Sequence, residues 1–317
     1  MLKTLSIAIA GSTERSKLCA TALHTDSRFS IPWIVTPAAK PIGRKQVVTQ
    51  NPLASFAEQQ NITTISIETK FTETIRENIT QAGIPDILLV VDFGYFVPQW
   101  LLSLPKLAPI NIHPSYLPRW RGSSPGQFVL LYGDPESAVS LIIMNELLDQ
   151  GEILMQLPFP VNQQWTTTEY YQHSFELVCS NLAEILLDFA GGKLHVQAQP
   201  LASPTVTAAR LSKADSFVPW ELLQQAVQTS VSIPFKNHPS VSTVLADAWK
   251  SNDSLQVTLE HAVRAFSPWP KLWTVYPSNG TEKRLQFISA SMENGKFLPK
   301  EILIEGKQVQ NWTDLHF

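Results

Sequence analysis

The chain has 317 residues, about twice the usual length of a single domain, which predicts two domains of unequal size. Hydrophobic residues make up 44% of the sequence and charged residues 16%, proportions that exclude a disordered, fibrous or coiled-coil protein. The formal net charge of −3 excludes the strongly basic class of nucleic-acid-binding proteins. A nucleic-acid partner would therefore need a local basic patch.

Short apolar segments alternate with segments of helical character through the first part of the chain. The predicted strands are residues 5–10, 32–35, 63–67, 87–91, 110–112 and 139–144. The predicted helices between them are residues 17–24, 52–60, 72–82 and 126–131. This alternation predicts an α/β fold with a Rossmann-like, mainly parallel sheet and helices on both faces.

The longest predicted helix, residues 167–189, begins at threonines that can cap it and ends at Gly191-Gly192. It closes a predicted first domain of residues 1–190. The polar stretch 191–207, which contains Pro200 and Pro204, is predicted to be a linker. A second, smaller domain is predicted over residues 208–317.

Cellular location is predicted from the cysteines and from the apolar segments. Cys19 and Cys179 are far apart and belong to no metal-binding motif, so neither a disulfide framework nor a zinc site is expected. The polar segment 12–17 follows the first apolar run at once, which indicates a strand and not a signal peptide. No apolar run approaches the ~20 residues that cross a bilayer. We expect a soluble, cytoplasmic protein.

The candidate site centres on Asn111, His113 and Asp149. Asn111 lies in the predicted strand 110–112, and His113 follows it directly. Because side chains alternate across a strand, the two residues lie on the same face. The carboxyl ends of parallel strands are where α/β sheets bind ligands. Asp149 follows a second strand in the loop Leu147–Gly151. The three side chains are therefore expected to converge at one edge of the sheet.

Each of these residues also has an ordinary structural explanation. A histidine near a strand end is often a satisfied structural residue, and Asn and Asp beside Pro or Gly often form turns. The loop after His113, residues 115–122, is rich in Pro, Gly, Arg and Trp, a composition more typical of a functional loop than of a simple connection. The combination favours a functional site.

These motifs resemble the signature of the folate-dependent formyltransferases, and most closely the methionyl-tRNA formyltransferases. The matching segments are Ile110-Asn111-Ile112-His113, Ser115-Tyr116-Leu117-Pro118-Arg119-Trp120-Arg121-Gly122, Leu148-Asp149 with Gly151, Val35-Thr36-Pro37, residues 41–45, 210–213 and 264–270. Two positions differ from the pattern. Asp92 stands where the family favours a small residue, and Pro114 replaces the usual Ala or Gly, as it does in the sugar formyltransferases.

The resemblance implies transfer of a formyl group from 10-formyltetrahydrofolate to an amine, with no metal. Such a transfer develops negative charge on the formyl oxygen, which Asn111 and His113 can stabilise as hydrogen-bond donors. Asp149 can accept the proton of the attacking amine, directly or through a water molecule. The family's folate contacts correspond here to Ser115, Tyr116, Leu117 and Pro118.

The acceptor implied by the resemblance is methionyl initiator tRNA, so the protein would support translation initiation, working as a monomer. Lys40, Arg44 and Lys45 lie in a loop without acidic residues, and the matching loop of the family enters the tRNA acceptor arm. On charge alone, a solvated surface loop is the favoured explanation, and the resemblance to the family reverses that preference. Ser267-Pro268-Trp269-Pro270 marks the family's C-terminal tRNA-binding domain, a mainly β, oligonucleotide-binding-like barrel.

Two alternatives remain open from the sequence. One keeps the chemistry but uses the amine of a sugar nucleotide as acceptor. The other is a tRNA-binding relative without catalysis, because the stretch from Trp220 to Arg264 is longer than in the family and suggests a remodelled second domain. From Pro204 onward there are 11 Lys and Arg against 10 Asp and Glu, so this part of the chain is nearly neutral.

Overall fold

The computed structural model describes residues 4–42, 47–278 and 280–314. The strands are β1 (Leu5–Gly11), β2 (Phe29–Ser30), β3 (Trp33–Pro37), β4 (Lys40–Ile42), β5 (Val47–Thr49), β6 (Thr63–Ile67), β7 (Ile87–Val91), β8 (Ala108–His113), β9 (Glu136–Ile143), β10 (Ile153–Pro160), β11 (Trp273–Ser278), β12 (Thr281–Glu293), β13 (Lys296–Ile304) and β14 (Val309–Asn311). The α-helices are α1 (Glu14–His24), α2 (Pro52–Gln59), α3 (Glu73–Ala82), α4 (Gln99–Leu102), α5 (Pro125–Leu131), α6 (Thr167–Ala190), α7 (Trp220–Gln228), α8 (Thr243–Asn252) and α9 (Leu255–Ala265).

The main sheet has the strand order β10-β9-β8-β7-β1-β3-β6, with β2 paired to β1. The strands from β8 to β6 run parallel to one another, and β9 runs antiparallel to β8. All five residues of β7 are buried, as expected for a parallel strand covered on both faces. One apolar cluster on this sheet includes Trp33, Ile79 and Leu101. The predicted mainly parallel α/β sheet is confirmed.

The chain reverses its direction of travel across the sheet between β1 and β7. It moves from β1 to β3 and β6, and then returns to the other side of β1 with β7 and β8. Gly11 ends β1, and a Cβ atom there would lie 2.5 Å from the carbonyl oxygen of Val91, so only glycine fits. Ligands of open α/β sheets bind outside the carboxyl ends of the strands at such a reversal.

The C-terminal part of the chain contains a four-stranded antiparallel sheet in the order β11-β12-β13-β14. This is the smaller β structure that the resemblance implies. The long stretch between Trp220 and Arg264 forms α7, α8 and most of α9, which the sequence analysis did not anticipate. Ser242 and Ser254 cap α8 and α9 by accepting hydrogen bonds from backbone N–H groups three residues on.

Two compact units interleave along the chain. The first comprises Met1–Arg121, Ala138–Pro158 and Gln172–Thr205, and the second comprises Gly122–Ser137, Phe159–Tyr171 and Val206–Phe317. The division into a catalytic domain over 1–190, a linker over 191–207 and a tRNA-binding-like domain over 208–317 stays a prediction. Within the described ranges, no helix is both long and apolar enough to cross a membrane.

Candidate active site

Strand β8 presents Asn111 and His113 on one face at its carboxyl end. Ile110 and Ile112, which alternate with them, are buried on the opposite face. The strand is fixed between β7 and β9, with Asn111 opposite Val90 on one side and Ile142 on the other. Pairing on both sides leaves the backbone of β8 little freedom, so the positions of its two polar side chains are well defined.

Asp149 reaches His113 because the loop between β9 and β10 folds back along the sheet. β9 is antiparallel to β8, so its last residue, Ile143, lies opposite Ile110, about 10 Å before His113 at the usual rise of a strand. The loop nevertheless brings Asp149 Oδ1 to 3.7 Å from His113 Nδ1, with side-chain exposures of 9% and 5%. Gly151 makes this fold possible, because a Cβ there would lie 1.7 Å from the Ile143 carbonyl oxygen.

The backbone of Trp120 orients the imidazole of His113. Nε2 lies 3.1 Å from the Trp120 carbonyl oxygen, which can only accept a hydrogen bond, so Nε2 carries a proton and donates it. Nδ1 is the other ring nitrogen, and it is the one that faces Asp149. Trp120 itself is 1% exposed, with a φ of 59°. This arrangement fixes both the ring and its tautomer.

The side-chain amide of Asn111 has a different environment. Among the residues that the structure describes, none hydrogen-bonds to this amide, although Asn111 is half-buried. A half-buried amide without a protein partner has two N–H donors available to a ligand. Asn111, His113 and Asp149 therefore supply open donors, an oriented imidazole and a carboxylate, the three groups that the sequence analysis predicted.

The loop after β8 is held by hydrogen bonds to β9 and β10. The Ser115 hydroxyl donates to the Arg119 carbonyl oxygen at 2.8 Å, and the Ser140 hydroxyl donates to the Ser115 carbonyl oxygen at 2.7 Å. Gln156 Nε2 donates to the Leu117 carbonyl oxygen at 2.9 Å. Because each hydrogen bond fixes a different residue of the loop, the conformation of the loop beside the site is restrained.

The four residues that the resemblance assigns to folate binding lie in this loop, and they differ in exposure. Ser115 is fully buried and Leu117 is 2% exposed, in a small apolar cluster with Ile142 and Ile153. Tyr116 and Pro118 are half-buried. Tyr116 and Pro118 thus have accessible side chains, whereas those of Ser115 and Leu117 are enclosed.

Asp92, one of the two departures from the family pattern, lies directly after β7 at the reversal point. Its carboxylate accepts a hydrogen bond from the Thr13 hydroxyl at 2.9 Å and forms an ion pair with Arg15. The Arg15 guanidinium also lies 5.7 Å from the centre of the Phe175 ring. The charge of Asp92 is therefore balanced locally, and it connects the ends of β1 and β7.

Arg121 and Gln199 are two residues that the sequence analysis did not connect with the candidate site. Arg121 enters that analysis only as one letter of the loop motif, and Gln199 lies in the predicted linker, where a glutamine gives no local signal. In the structure the Arg121 guanidinium donates to Gln199 Oε1 at 2.9 Å. Burial lowers the pKa of Arg121, and the negative charge of Asp149 opposes this shift. The Arg121 guanidinium is therefore close enough to the Asp149 carboxylate for their charges to attract each other.

β4 and β5 form a hairpin in which Ile42 is paired with Val47. Lys40 begins β4, and Arg44 and Lys45 lie outside the described residues. In the part of the chain that the structure covers, no group of three His, Cys, Asp or Glu side chains is arranged to hold a metal ion.

Residues 3–185 match the family model described as formyl transferase. This match covers more than half of the chain and includes Asn111, His113 and Asp149. The chain therefore belongs to the formyl transferase family.

Within this family, the similar curated proteins include methionyl-tRNA formyltransferases. The one from Ehrlichia canis is 36% identical over 183 residues, which are 57% of this chain and 60% of that protein. This chain thus spans less than two thirds of the Ehrlichia protein's length. The one from Pseudomonas fluorescens strain Pf-5 is 28% identical over 307 residues, 96% of this chain and 83% of that protein.

Similar solved structures agree on the fold. Methionyl-tRNA formyltransferase from Clostridium thermocellum superposes with a TM-score of 0.55 at 15% identity, over 95% of this chain and 98% of that one. An N-formyltransferase from Helicobacter canadensis, in complex with folinic acid and dTDP-3-aminofucose, gives a TM-score of 0.56 at 16% identity, over 91% and 88%. These likenesses extend through the C-terminal part of the chain.

Proposed function

We propose that this protein is an enzyme that transfers the formyl group of 10-formyltetrahydrofolate to the α-amino group of methionyl initiator tRNA, and so supports translation initiation. The observation that carries the proposal is the His113–Asp149 pair at 3.7 Å beside the open amide of Asn111. The acceptor is inferred from the relatives, which include methionyl-tRNA formyltransferases similar over 96% of this chain.

The three side chains have complementary roles in this reaction. As the amine attacks the formyl carbon, negative charge develops on the formyl oxygen, and the N–H groups of Asn111 and protonated His113 stabilise it. Asp149 accepts the proton that the amine loses, directly or through a water molecule. A proton delivered to N10 of the folate then lets the bond between N10 and the formyl carbon break, which releases tetrahydrofolate and leaves the formylated amine. Because Nε2 of His113 already donates to the Trp120 carbonyl oxygen, Nδ1 is the nitrogen that donates to the formyl oxygen. The chemistry needs no metal ion.

The formyl donor would lie against the loop 115–118, with Tyr116 and Pro118 providing the accessible side chains. The folate carries the reactive carbon, and the protein supplies position and electrostatic stabilisation. The hydrogen bonds of Ser115 and Ser140 keep the wall of the site in place before the donor arrives. Preorganisation of this kind lowers the cost of binding the donor in a reactive orientation.

The tRNA would be held by Lys40, Arg44 and Lys45 through its phosphates, and by the C-terminal part of the chain. The enzyme would act as a cytoplasmic monomer. One observation favours a different acceptor, the amine of a sugar nucleotide: Pro114 follows the histidine as in the sugar formyltransferases. The unanticipated helices α7–α9 motivate the third possibility, a tRNA-binding protein without catalysis.

The proposal is tested by transfer of a labelled formyl group from 10-formyltetrahydrofolate to purified methionyl initiator tRNA, with methionyl elongator tRNA as control. Transfer to the initiator alone is expected. Transfer only to an amino sugar nucleotide would establish the second acceptor instead. Tight tRNA binding without transfer to either acceptor would reject the enzymatic function.

A further inference from the structure

The segment 197–205, here called the strap, lies in the predicted linker, and it contacts both loops of the candidate site. The Thr205 hydroxyl oxygen accepts a hydrogen bond from the Trp120 backbone N–H at 2.9 Å. The Ser203 hydroxyl donates to the Pro118 carbonyl oxygen at 2.9 Å. Gln197 exchanges two backbone hydrogen bonds of 2.8 Å with Ile153. The strap is thus attached to the loop after β8 and to the start of β10.

Gln199 is the residue of the strap that contacts the loop between β9 and β10, residues 144–152, here called the Asp149 loop. Its side-chain Nε2 donates to the carbonyl oxygen of Asp149 at 3.0 Å and to that of Gly151 at 2.7 Å. Both N–H groups of the amide are therefore used on the backbone of the loop that carries the carboxylate. One side chain from a distant segment thus ties two positions of this loop together.

Arg121 holds the other end of the same amide. Its Nε and Nη2 donate to Gln199 Oε1 at 3.2 and 2.9 Å, and it also donates to the carbonyl oxygens of Pro200 at 2.7 Å and Leu201 at 3.1 Å. With the oxygen of Gln199 fixed by a planar guanidinium, the amide can point its nitrogen in one direction only. Arg121 is 7% exposed, so these hydrogen bonds are shielded from water.

Asp149 needs such support because of its backbone conformation. Its φ of 53° lies in the left-handed region, which Asp tolerates better than most residues but which still costs free energy relative to glycine. The loop must also fold back along β8 to bring the carboxylate to His113. The two hydrogen bonds from Gln199 oppose relaxation of the loop away from this position.

We propose that Gln199, oriented by Arg121, is a positioning residue that holds the Asp149 loop in its reactive place, so that the strap is part of the active site and not only a connection. The role in catalysis rests on the proposed formyl transfer, whereas the role in holding the loop does not. Two measurements distinguish the role in holding the loop from the role in catalysis.

The first measurement is hydrogen–deuterium exchange on the full chain without substrate, which requires no activity. Gln199→Met keeps the length of the side chain and removes its hydrogen bonds. Gln197→Met is the matched control, because Gln197 is exposed and pairs with Ile153 through its backbone. Faster exchange in residues 144–152 of Gln199→Met alone is expected. Equal exchange in parent, Gln199→Met and Gln197→Met would overturn the proposal.

The second measurement is a double-variant cycle of formyl transfer with Asp149→Asn. Gln199→Met should lower kcat by about 100-fold with little change in KM for the folate donor, as expected for a misplaced catalytic group. In the Asp149→Asn background it should lower kcat by much less, because the group it positions is gone. An equal reduction in both backgrounds would indicate a general structural role and overturn the catalytic part of the proposal.

Gln199→Glu provides a second variant if Gln199→Met does not fold. It keeps an oxygen for Arg121 and removes both donors to the Asp149 loop, so the same faster exchange is expected, with Gln197→Glu as the control for charge. If the parent transfers no formyl group, the exchange measurement still decides whether Gln199 holds the loop, and only the proposed function fails.

Discussion

His113 and Asp149 illustrate how single residues acquire a role from their surroundings. The Trp120 carbonyl holds Nε2 of the imidazole, and the carboxylate lies 3.7 Å from Nδ1, so both ring nitrogens face a defined partner. The two side chains are almost fully buried, which strengthens their electrostatic interactions with a bound substrate. Substitution of either residue should therefore affect the reaction far more than the fold.

We expect His113→Ala and Asp149→Asn each to lower the turnover of formyl transfer by about 10² to 10⁴-fold, the range for removal of oxyanion-stabilising or proton-transfer groups. The melting temperature should change little. Matched controls are His195→Ala, at an exposed position, and Asp188→Asn, at a half-buried one; neither residue belongs to the loops of the site or to the strap. Near-parental rates in both site variants would show that the chemistry is carried elsewhere.

At the scale of elements, α9 packs against the end of α5 through a half-buried histidine, His261. His261 Nδ1 lies 3.3 Å from the Leu131 carbonyl oxygen, and a Cβ at Gly133 would lie 2.4 Å from His261 Cε1. Glycine is thus needed at position 133 to admit the imidazole. Burial lowers the pKa of His261, the nearby charge of Arg264 lowers it further, and Glu260 opposes the shift.

This lowered pKa makes the folded protein less stable in acid. Below about pH 6.5, the ordinary value for histidine, the unfolded chain binds the proton that folded His261 resists. The contribution of His261 to stability is therefore present above that pH and is lost as the pH falls. Chemical denaturation at about pH 7.5 and about pH 5.5 should show a smaller loss of stability for His261→Gln than for the parent. His195→Gln, at an exposed position, should behave as the parent; an identical loss in all three proteins would contradict the assignment.

At the scale of the whole molecule, charge is distributed in a way that limits where a tRNA can bind. The chain carries a net charge of −3, and the part from Pro204 onward has 11 basic against 10 acidic residues. Neither value provides a general attraction for phosphates. If the proposed acceptor is correct, we expect the local group Lys40, Arg44 and Lys45 to supply a large share of the electrostatic binding energy.

We therefore expect the double variant Arg44→Ala, Lys45→Ala to bind methionyl initiator tRNA more weakly and with a shallower dependence on salt. The slope of log affinity against log salt should fall by about 1 for each phosphate that the variant no longer neutralises, because fewer counterions are released. The control is Lys17→Ala, Lys193→Ala, which removes two cations already paired with Glu14 and Asp188. Parental affinity and slope in the first variant would place the tRNA-binding surface elsewhere.

The sequence by itself determined the parts of this protein that depend on local patterns. Runs of apolar residues predicted β1 and β7 to within a residue, because a strand buried on both faces needs continuous apolar side chains. The bounds of β6, in which only Ile65 and Ile67 are buried, were also predicted. The alternation of side chains placed Asn111 and His113 on one face. Local signals were also present for α8 and α9, in the caps Ser242 and Ser254, but the expectation of a β barrel obscured them.

Only the tertiary structure decided how distant segments meet at the site. The return of the Asp149 loop along β8 depends on the antiparallel pairing of β9 and on the close approach that Gly151 permits. Gln199 lies 50 residues from Asp149 and 78 from Arg121 in sequence, yet it hydrogen-bonds to both. The periodicity of a strand or helix determines which face a side chain occupies, whereas contacts between segments arise only when the chain packs. Local patterns therefore predicted the candidate catalytic residues, whereas the hydrogen bonds between the strap and the Asp149 loop depend on the packing of distant segments.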